Sequence, residues 1–336
     1  MKAMTVAKYG ADQKLSLTEL PTPTIQDDDV LVQIHAASVN PVDALFRNGN
    51  FRLTLKHTFP LILGNDFAGT VVETGKNVSR FKIGDRVYGR PHPLKGGTFA
   101  EYIAVDQSEI ALTPKNLTIE EAASLPLVGL TSVQALYDVL QLQKGQKILI
   151  HAGSGGVGTF AIQLAKHIGA YVATTTSEKG ADLAKEMGAD LIINYKKQKF
   201  EDVISGYDAV FDTLGKESLE RSFQVLKAGG KVVSVSGPPT KELAEVFDLS
   251  FILRMLISLG SRKMHKLAKQ NNTTYRFLAM QPNGKQLEMI TKWVEDGVIK
   301  PHIDRTFSLA DAQAGLEYVE SKRAKGKVMI HVSDPS

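Results

Sequence analysis

From about residue 123 the chain alternates short apolar runs with single helical patterns, and nothing else in its 336 residues constrains the fold as strongly. KILIHA (147–152), YVATTT (171–176), DLIIN (190–194), DAVFDT (208–213) and KVVSVS (231–236) read as strands. TFAIQLAKHIGA sets Phe160, Leu164 and Ile168 on one helical face and stops at Gly169. Residues 177–187 read as the next helix, ended by Gly188, and VLKAGG (225–230) as the close of a third. Strands separated by one helix each must pair in parallel, because the crossover helix returns the chain to the same edge. Their near-continuous apolar character fits a sheet covered on both faces. The prediction is a doubly wound, nucleotide-binding domain over 123–284.

Residues 1–122 carry a different pattern. VLVQIHAASV (30–39), TVVETG (70–75) and TFAEYIAV (98–105) are short β-prone runs separated by Pro and Gly turn signals, which predicts a small barrel or sandwich. The stretch from 285 to 336 reads as helix (KQLEMITKWVEDG), strand (near 302–307), helix (ADAQAGLEYVESK) and strand (KVMIHV), and is expected to complete the first domain. FDLSFILRMLISL (247–259) reads as a buried or lid helix: it is too short to span a bilayer and carries Asp248 and Arg254. YRFLAMQ (275–281) alternates like an edge strand.

HAGSGGVGTF (151–160) is the strongest motif. Gly153, Gly155 and Gly158 fit G-x-G-x-x-G between a strand and a helix, and Ser154, Gly156 and Val157 complete the loop. Such glycines let bare backbone N–H groups approach a pyrophosphate at a helix N-terminus. NAD sites place a carboxylate at the end of the next strand; here that strand ends ATTTSEK, with Thr175, Thr176, Ser177 and Lys179. Hydroxyls and a cation suit a 2′-phosphate, so NADP(H) is the expected cofactor. Leu214 follows one later strand, and Ser236 and Gly237 end another, where open α/β sheets bind ligands.

The chain has no cysteine, which excludes disulfides, thiolate zinc sites and a thiol nucleophile, and a cytoplasmic, reducing setting fits. The net charge of +4 is too small for this length to imply a nucleic-acid partner. The basic stretch SRKMHKLAKQ (261–270) lacks interleaved aromatics and reads as a solvated helix face. No apolar run is long enough for a transmembrane segment.

Taken in order, NPVDALFRNG, LGNDFAGTV, GDRVYG, GGTFAEY, HAGSGGVG and GKVMI make the chain resemble the medium-chain dehydrogenase/reductase superfamily over its whole length. The likeness is to its zinc-free branch of quinone oxidoreductases and alkenal/enone reductases. It implies an α/β fold, with a GroES-like β-rich catalytic domain (1–122 and 285–336) and a Rossmann domain (123–284), usually dimeric. Where zinc members carry Cys-x-x-Asp and Gly-His-Glu, this chain has Asn40-Pro41-Val42-Asp43 and Gly64-Asn65-Asp66. A neutral amide is a poor transition-metal ligand, so no catalytic zinc is expected.

The resemblance sets Asn40, Asp43 and Asn65 beside the nicotinamide, as cleft wall. Asn40, Pro41 and Asp43 equally make a good helix start. It also implies cofactor contacts for Thr131 and Tyr195. Lys327, with Arg323, either reaches the cofactor or ends a solvated helix. Phe46, Arg47 and Phe51 line the same region or belong to the core. Without a Lewis acid, an alkoxide has no metal to stabilise it, and an electrophile that delocalises charge onto its own oxygen is the better hydride acceptor. The expected activity is NADPH-dependent reduction of quinones or α,β-unsaturated carbonyls by a homodimer. The alternative is an NADPH-binding regulatory or structural protein with little turnover.

Overall fold

The computed structural model describes residues 1–334. The chain divides into two compact units, one made of residues 1–130 and those from 281 on, the other of residues 131–280. The first division falls within the helix Pro126–Val133, so no turn residues mark it in the sequence.

Among the described residues, the first unit holds a seven-stranded sheet and a three-stranded one. Its spine is the Asp29–Val39 strand, buried at nearly every position, which explains why it reads as a continuous apolar run. Val30, Val32 and Ile34 share one face with Phe67, Val71, Val87 and Ile103 in a single core. The spine pairs antiparallel with Asp66–Thr74 on one side and with the last strand, Lys327–His331, on the other. Asp66–Thr74 pairs in turn with Arg86–Gly89. The C-terminal stretch thus returns to the first unit through Ile303–Ser308 and Lys327–His331.

The second unit is a six-stranded parallel sheet. Lys147–Ile150 lies at its centre, flanked by Tyr171–Thr176 and Tyr207–Asp212. Leu191–Asn194 forms one edge and Thr274–Phe277 the other. Leu149, Ala173, Val210 and Val232 pack with Phe223, Met264 and Tyr275 in a shared core.

Two local expectations are corrected. VLKAGG does not close a helix: Lys216–Ser222 and a 3-10 turn at Phe223–Val225 precede it, and the strand Leu226–Ser234 already contains LKAGG. The run 247–259 becomes the helix Phe251–Gly260, and no residue of it is buried, with Phe251 exposed by 79%. Its apolar residues surround the helix, whereas only Leu253 and Ile257, four apart, are half-covered. The basic stretch forms the helix Arg262–Gln270, which buries Met264 and Ala268 and turns most of its charges outward. No helix of the described residues is long and apolar enough to cross a membrane.

Candidate functional site

In the first unit, the ends of four neighbouring strands carry a polar seam. The register pairs Val328 with Val39, Ser38 with Asp66, and Phe67 with Gly89. Extending each pairing by one residue sets Lys327 beside Asn40 and Arg90 beside Asp66.

Asp66 is the hub of this seam and is fully buried. Its Oδ2 accepts from Ser38 Oγ at 2.5 Å, Asn40 Nδ2 at 2.9 Å and Lys327 Nζ at 3.1 Å. Its Oδ1 accepts from the Leu127 backbone N–H at 2.6 Å. Lys327 Nζ also donates to Asn40 Oδ1 at 2.6 Å. A buried carboxylate is tolerated only when paired and hydrogen-bonded, and Asp66 meets both conditions.

Asp43 forms the second node. Asn65 Nδ2 donates to its Oδ1 at 2.6 Å, and the Asn40 backbone N–H to its Oδ2 at 2.7 Å. That second bond is the N3-to-cap contact that begins the helix Pro41–Asn48, which has Asn40 as its N-cap. Asn40 and Asp43 therefore serve the helix start and the seam together. Burial pushes the Asp43 carboxyl up to about 7, against the opposing effect of its two donors; neighbouring Asp66 raises it further and Lys327 lowers it.

Gly64 makes this placement possible. Its φ of +101° is a left-handed value, and an added Cβ would overlap Thr98 Oγ1 and Phe99. Only glycine turns the chain there so that Asn65 and Asp66 enter the seam.

Of the two readings offered for Lys327, a cofactor contact or a solvated helix end, the second does not hold. Lys327 opens the last strand and is buried with its ammonium in the seam. Arg47 is also committed internally, with a two-point ion pair to Glu320 at 2.7 and 3.1 Å. Phe46 packs against Phe51, with ring centroids 4.9 Å apart, in an aromatic cluster that includes His57.

In the second unit, the glycine loop leads into the helix Gly156–Ile168, with Gly155 as N-cap. The N–H groups of Gly156, Val157 and Gly158 lie in the first turn, where no intrahelical partner exists. A Cβ on Gly153 would overlap Thr174 Oγ1, and one on Gly158 would overlap the Ala152 carbonyl. At Gly155 the nearest atom to such a Cβ is Ala152 O at 3.3 Å, so the loop is tight behind and roomier at the cap. This cradle of bare N–H groups suits a pyrophosphate.

The threonine run is tied to the glycine loop by its own hydroxyls. Thr175 Oγ1 bonds His151 Nδ1 at 3.0 Å, and Thr176 Oγ1 bonds Ser154 Oγ at 2.8 Å. Both hydroxyls brace the glycine loop from inside. Ser177 and Lys179 lie further out; Lys179 is exposed, and Glu178 pairs with Lys197 at 3.1 Å. Tyr195 is 59% exposed just beyond Asn194, which pairs with Thr176 in the sheet. Leu214 and Ser236 are exposed at the carboxyl ends of two further strands, near Gly237. Thr131 is buried in the helix Pro126–Val133.

Sequence reasoning missed three supporting groups. Asp212 accepts from Ser234 Oγ and from the Leu214 and Gly215 N–H groups, fixing the turn that carries Leu214. His151 is wholly buried, and desolvation lowers its pKa to about 3, keeping the ring neutral under the loop. Arg90 stands at the edge of the seam, and the only signal for it was its place directly after a strand.

A GroES-like β-rich unit combined with a parallel-sheet unit that carries a phosphate loop defines a dinucleotide-dependent oxidoreductase. Family models agree: the alcohol dehydrogenase GroES-like domain matches residues 26–115, and the zinc-binding dehydrogenase model matches residues 187–330. The chain is 36% identical to the 2-methylene-furan-3-one reductase of Solanum lycopersicum, over 98% of this chain and 79% of that protein. It is 34% identical to the chloroplastic NADPH-dependent alkenal/one oxidoreductase of Arabidopsis thaliana, with the same coverage. The quinone oxidoreductase of Coxiella burnetii superposes with a TM-score of 0.85 at 34% identity, over 99% of both chains. The chain belongs to the medium-chain dehydrogenase/reductase superfamily, among its quinone and alkenal reductases.

Proposed function

We propose that this oxidoreductase is a zinc-independent, NADPH-dependent reductase of quinones or α,β-unsaturated carbonyls. The observation that carries this reading is the seam. At the two positions where zinc enzymes of the superfamily hold thiolate and imidazole, Asn40 and Asn65 are amides already engaged with Lys327, Asp66 and Asp43. Neutral amides are weak metal donors, and the Lys327 ammonium already supplies the local positive charge that neutralises Asp66. Among the described residues no group of three or more His, Cys, Asp or Glu side chains has the arrangement to hold a metal.

NADPH, when bound, supplies hydride to the electrophilic carbon of the substrate, whose π pair moves onto oxygen before protonation. The chain's own residues bind and orient. The N–H groups of Gly156, Val157 and Gly158 receive the pyrophosphate at the positive end of the helix dipole. Lys179 supplies the cation for a 2′-phosphate, with no carboxylate ending the Tyr171–Thr176 strand to repel it. Glu178, two residues beyond the strand, is exposed and paired with Lys197. The related Arabidopsis enzyme is by name NADPH-dependent, and the three relatives are named for furanone, alkenal/one and quinone reduction.

The same reading retains a homodimer and a cytoplasmic setting. The Thr274–Phe277 strand supports the dimer, since it forms one edge of the six-stranded sheet, the position from which strands pair across subunits. The test of function is NADPH consumption by purified protein over matched panels of quinones, enals and enones. Turnover with at least one class is expected; tight NADPH binding without oxidation by any acceptor would instead identify a non-catalytic binding protein.

A further inference from the structure

The seam contains one charged group with two buried nitrogens that have no hydrogen-bond partner. Ser38, Asn40, Asp43, Asn65, Asp66 and Lys327 are joined in one hydrogen-bonded network. Arg90, one register step from Asp66, is 5% exposed, and its Nε and Nη1 are both buried without a partner. Buried guanidinium N–H groups are costly to leave unsatisfied, and the penalty is greater for a charged donor than for a neutral one. The surrounding carboxylates do not fill them. Asp66 is occupied by Ser38, Asn40, Lys327 and Leu127. Asp43 is occupied by Asn40 and Asn65, and Glu109 accepts from the His92 N–H at 2.9 Å. All three face Arg90 electrostatically, and burial lowers its pKa only to about 10, so the guanidinium stays charged at neutral pH.

We propose that Arg90 is the oxygen-receiving group of the substrate site, its unused N–H groups donating to the carbonyl oxygen of an enal, enone or quinone. This rests on the reductase reading and sharpens it. The ligand is defined as an electrophile whose conjugated carbonyl oxygen gains negative charge as the carbon at the far end of the conjugation accepts hydride. A fixed, buried cation at that oxygen stabilises the charge more as it develops than in the ground state. Arg90 thereby takes the electrostatic role that zinc fills in the metal-dependent members, from a neighbouring strand and with a different group.

The test uses the intact protein and two readouts. The first is the absorption band of 4-(dimethylamino)cinnamaldehyde bound without NADPH, which moves to the red when its carbonyl oxygen meets a cation or donor. The wild type is expected to shift the band and Arg90→Met to abolish the shift. The second is steady-state turnover. Arg90→Met is expected to lower kcat/KM for enones or quinones by about 10²-fold, with most of the loss in kcat, while NADPH affinity stays within about twofold. A purely structural role would not move the band. If Arg90→Met does not fold, Arg90→Gln replaces it, with the shift reduced and kcat/KM lowered about tenfold. A folded variant of either kind that keeps the red shift and wild-type kcat/KM overturns the proposal. If the wild type shifts the band through Arg90 but oxidises no NADPH with any acceptor, the oxygen site stands and the reductase reading fails.

Discussion

At the scale of single residues, two side chains carry measurable consequences. Asp43 is buried and holds its proton up to about pH 7, whereas an unfolded aspartate releases it near pH 4. Between those values the folded state binds the extra proton, so stability falls as pH rises through the window and the loss levels off above about 7. The full contribution is on the order of 4 kcal/mol. The groups facing Asp43 are Asp66, Lys327 and Arg90, and none of them leaves Asp43 below its ordinary value. Asp43→Asn removes this titration. Denaturant unfolding of the two proteins from pH 5 to 8 should show the variant gaining on the wild type as pH rises; a pH-independent difference would contradict the account. Lys179 gives the second consequence. Lys179→Glu should raise the KM for NADPH by about tenfold, the scale of one partly exposed charge contact reversed, and leave that for NADH nearly unchanged. Equal effects on both cofactors would remove Lys179 from the phosphate site.

At the scale of elements, the seam depends on how strands and turns are joined. Gly64 and Gly84 both have positive φ, +101° and +90°. They differ in surroundings: a Cβ on Gly64 meets Thr98 and Phe99, while one on Gly84 meets nothing within 4 Å. Gly84→Ala should therefore cost only backbone strain, about 1 kcal/mol, and Gly64→Ala that strain plus overpacking, about 3 kcal/mol or more. Thermal or urea unfolding of the pair checks this, and equal losses would mean that the packing at Gly64 yields. The elements also show what was legible in sequence. Strand–helix alternation and the glycine loop were readable because each depends on local periodicity and turn chemistry, as in Tyr171–Thr176 and Gly156–Ile168. The strand nature of LKAGG was not, because its two glycines look like a helix stop and sit in an irregularity of the register, between the Leu226–Tyr207 and Lys231–Ala209 pairs.

At the scale of the whole molecule, the sequence pointed to the segments that carry the two candidate sites, but not to how the fold joins them. Asn40, Asp43 and Asn65 stood out through the resemblance to the superfamily's motifs. That Asp66 is their hub, and that Lys327 reaches it from a strand 261 positions away, depends on sheet register, which no local pattern reveals. Thr175 and Thr176 were read as phosphate ligands because hydroxyls replace an acid; that their hydroxyls also bond His151 and Ser154 of the glycine loop depends on sheet register. Arg90 had no distinguishing motif, since its interest lies in nitrogens left unpartnered by the fold.

The central claim is that the chain reduces conjugated carbonyls with NADPH and needs no metal, because the ammonium, amides and guanidinium of one seam stand where zinc chemistry would be. The most direct test is NADPH oxidation with the best substrate of the quinone and enone panels, measured before and after exhaustive dialysis against a strong chelator, and again with zinc restored. The account predicts the same kcat/KM in all three states. Activity that disappears on chelation and returns with zinc would contradict it.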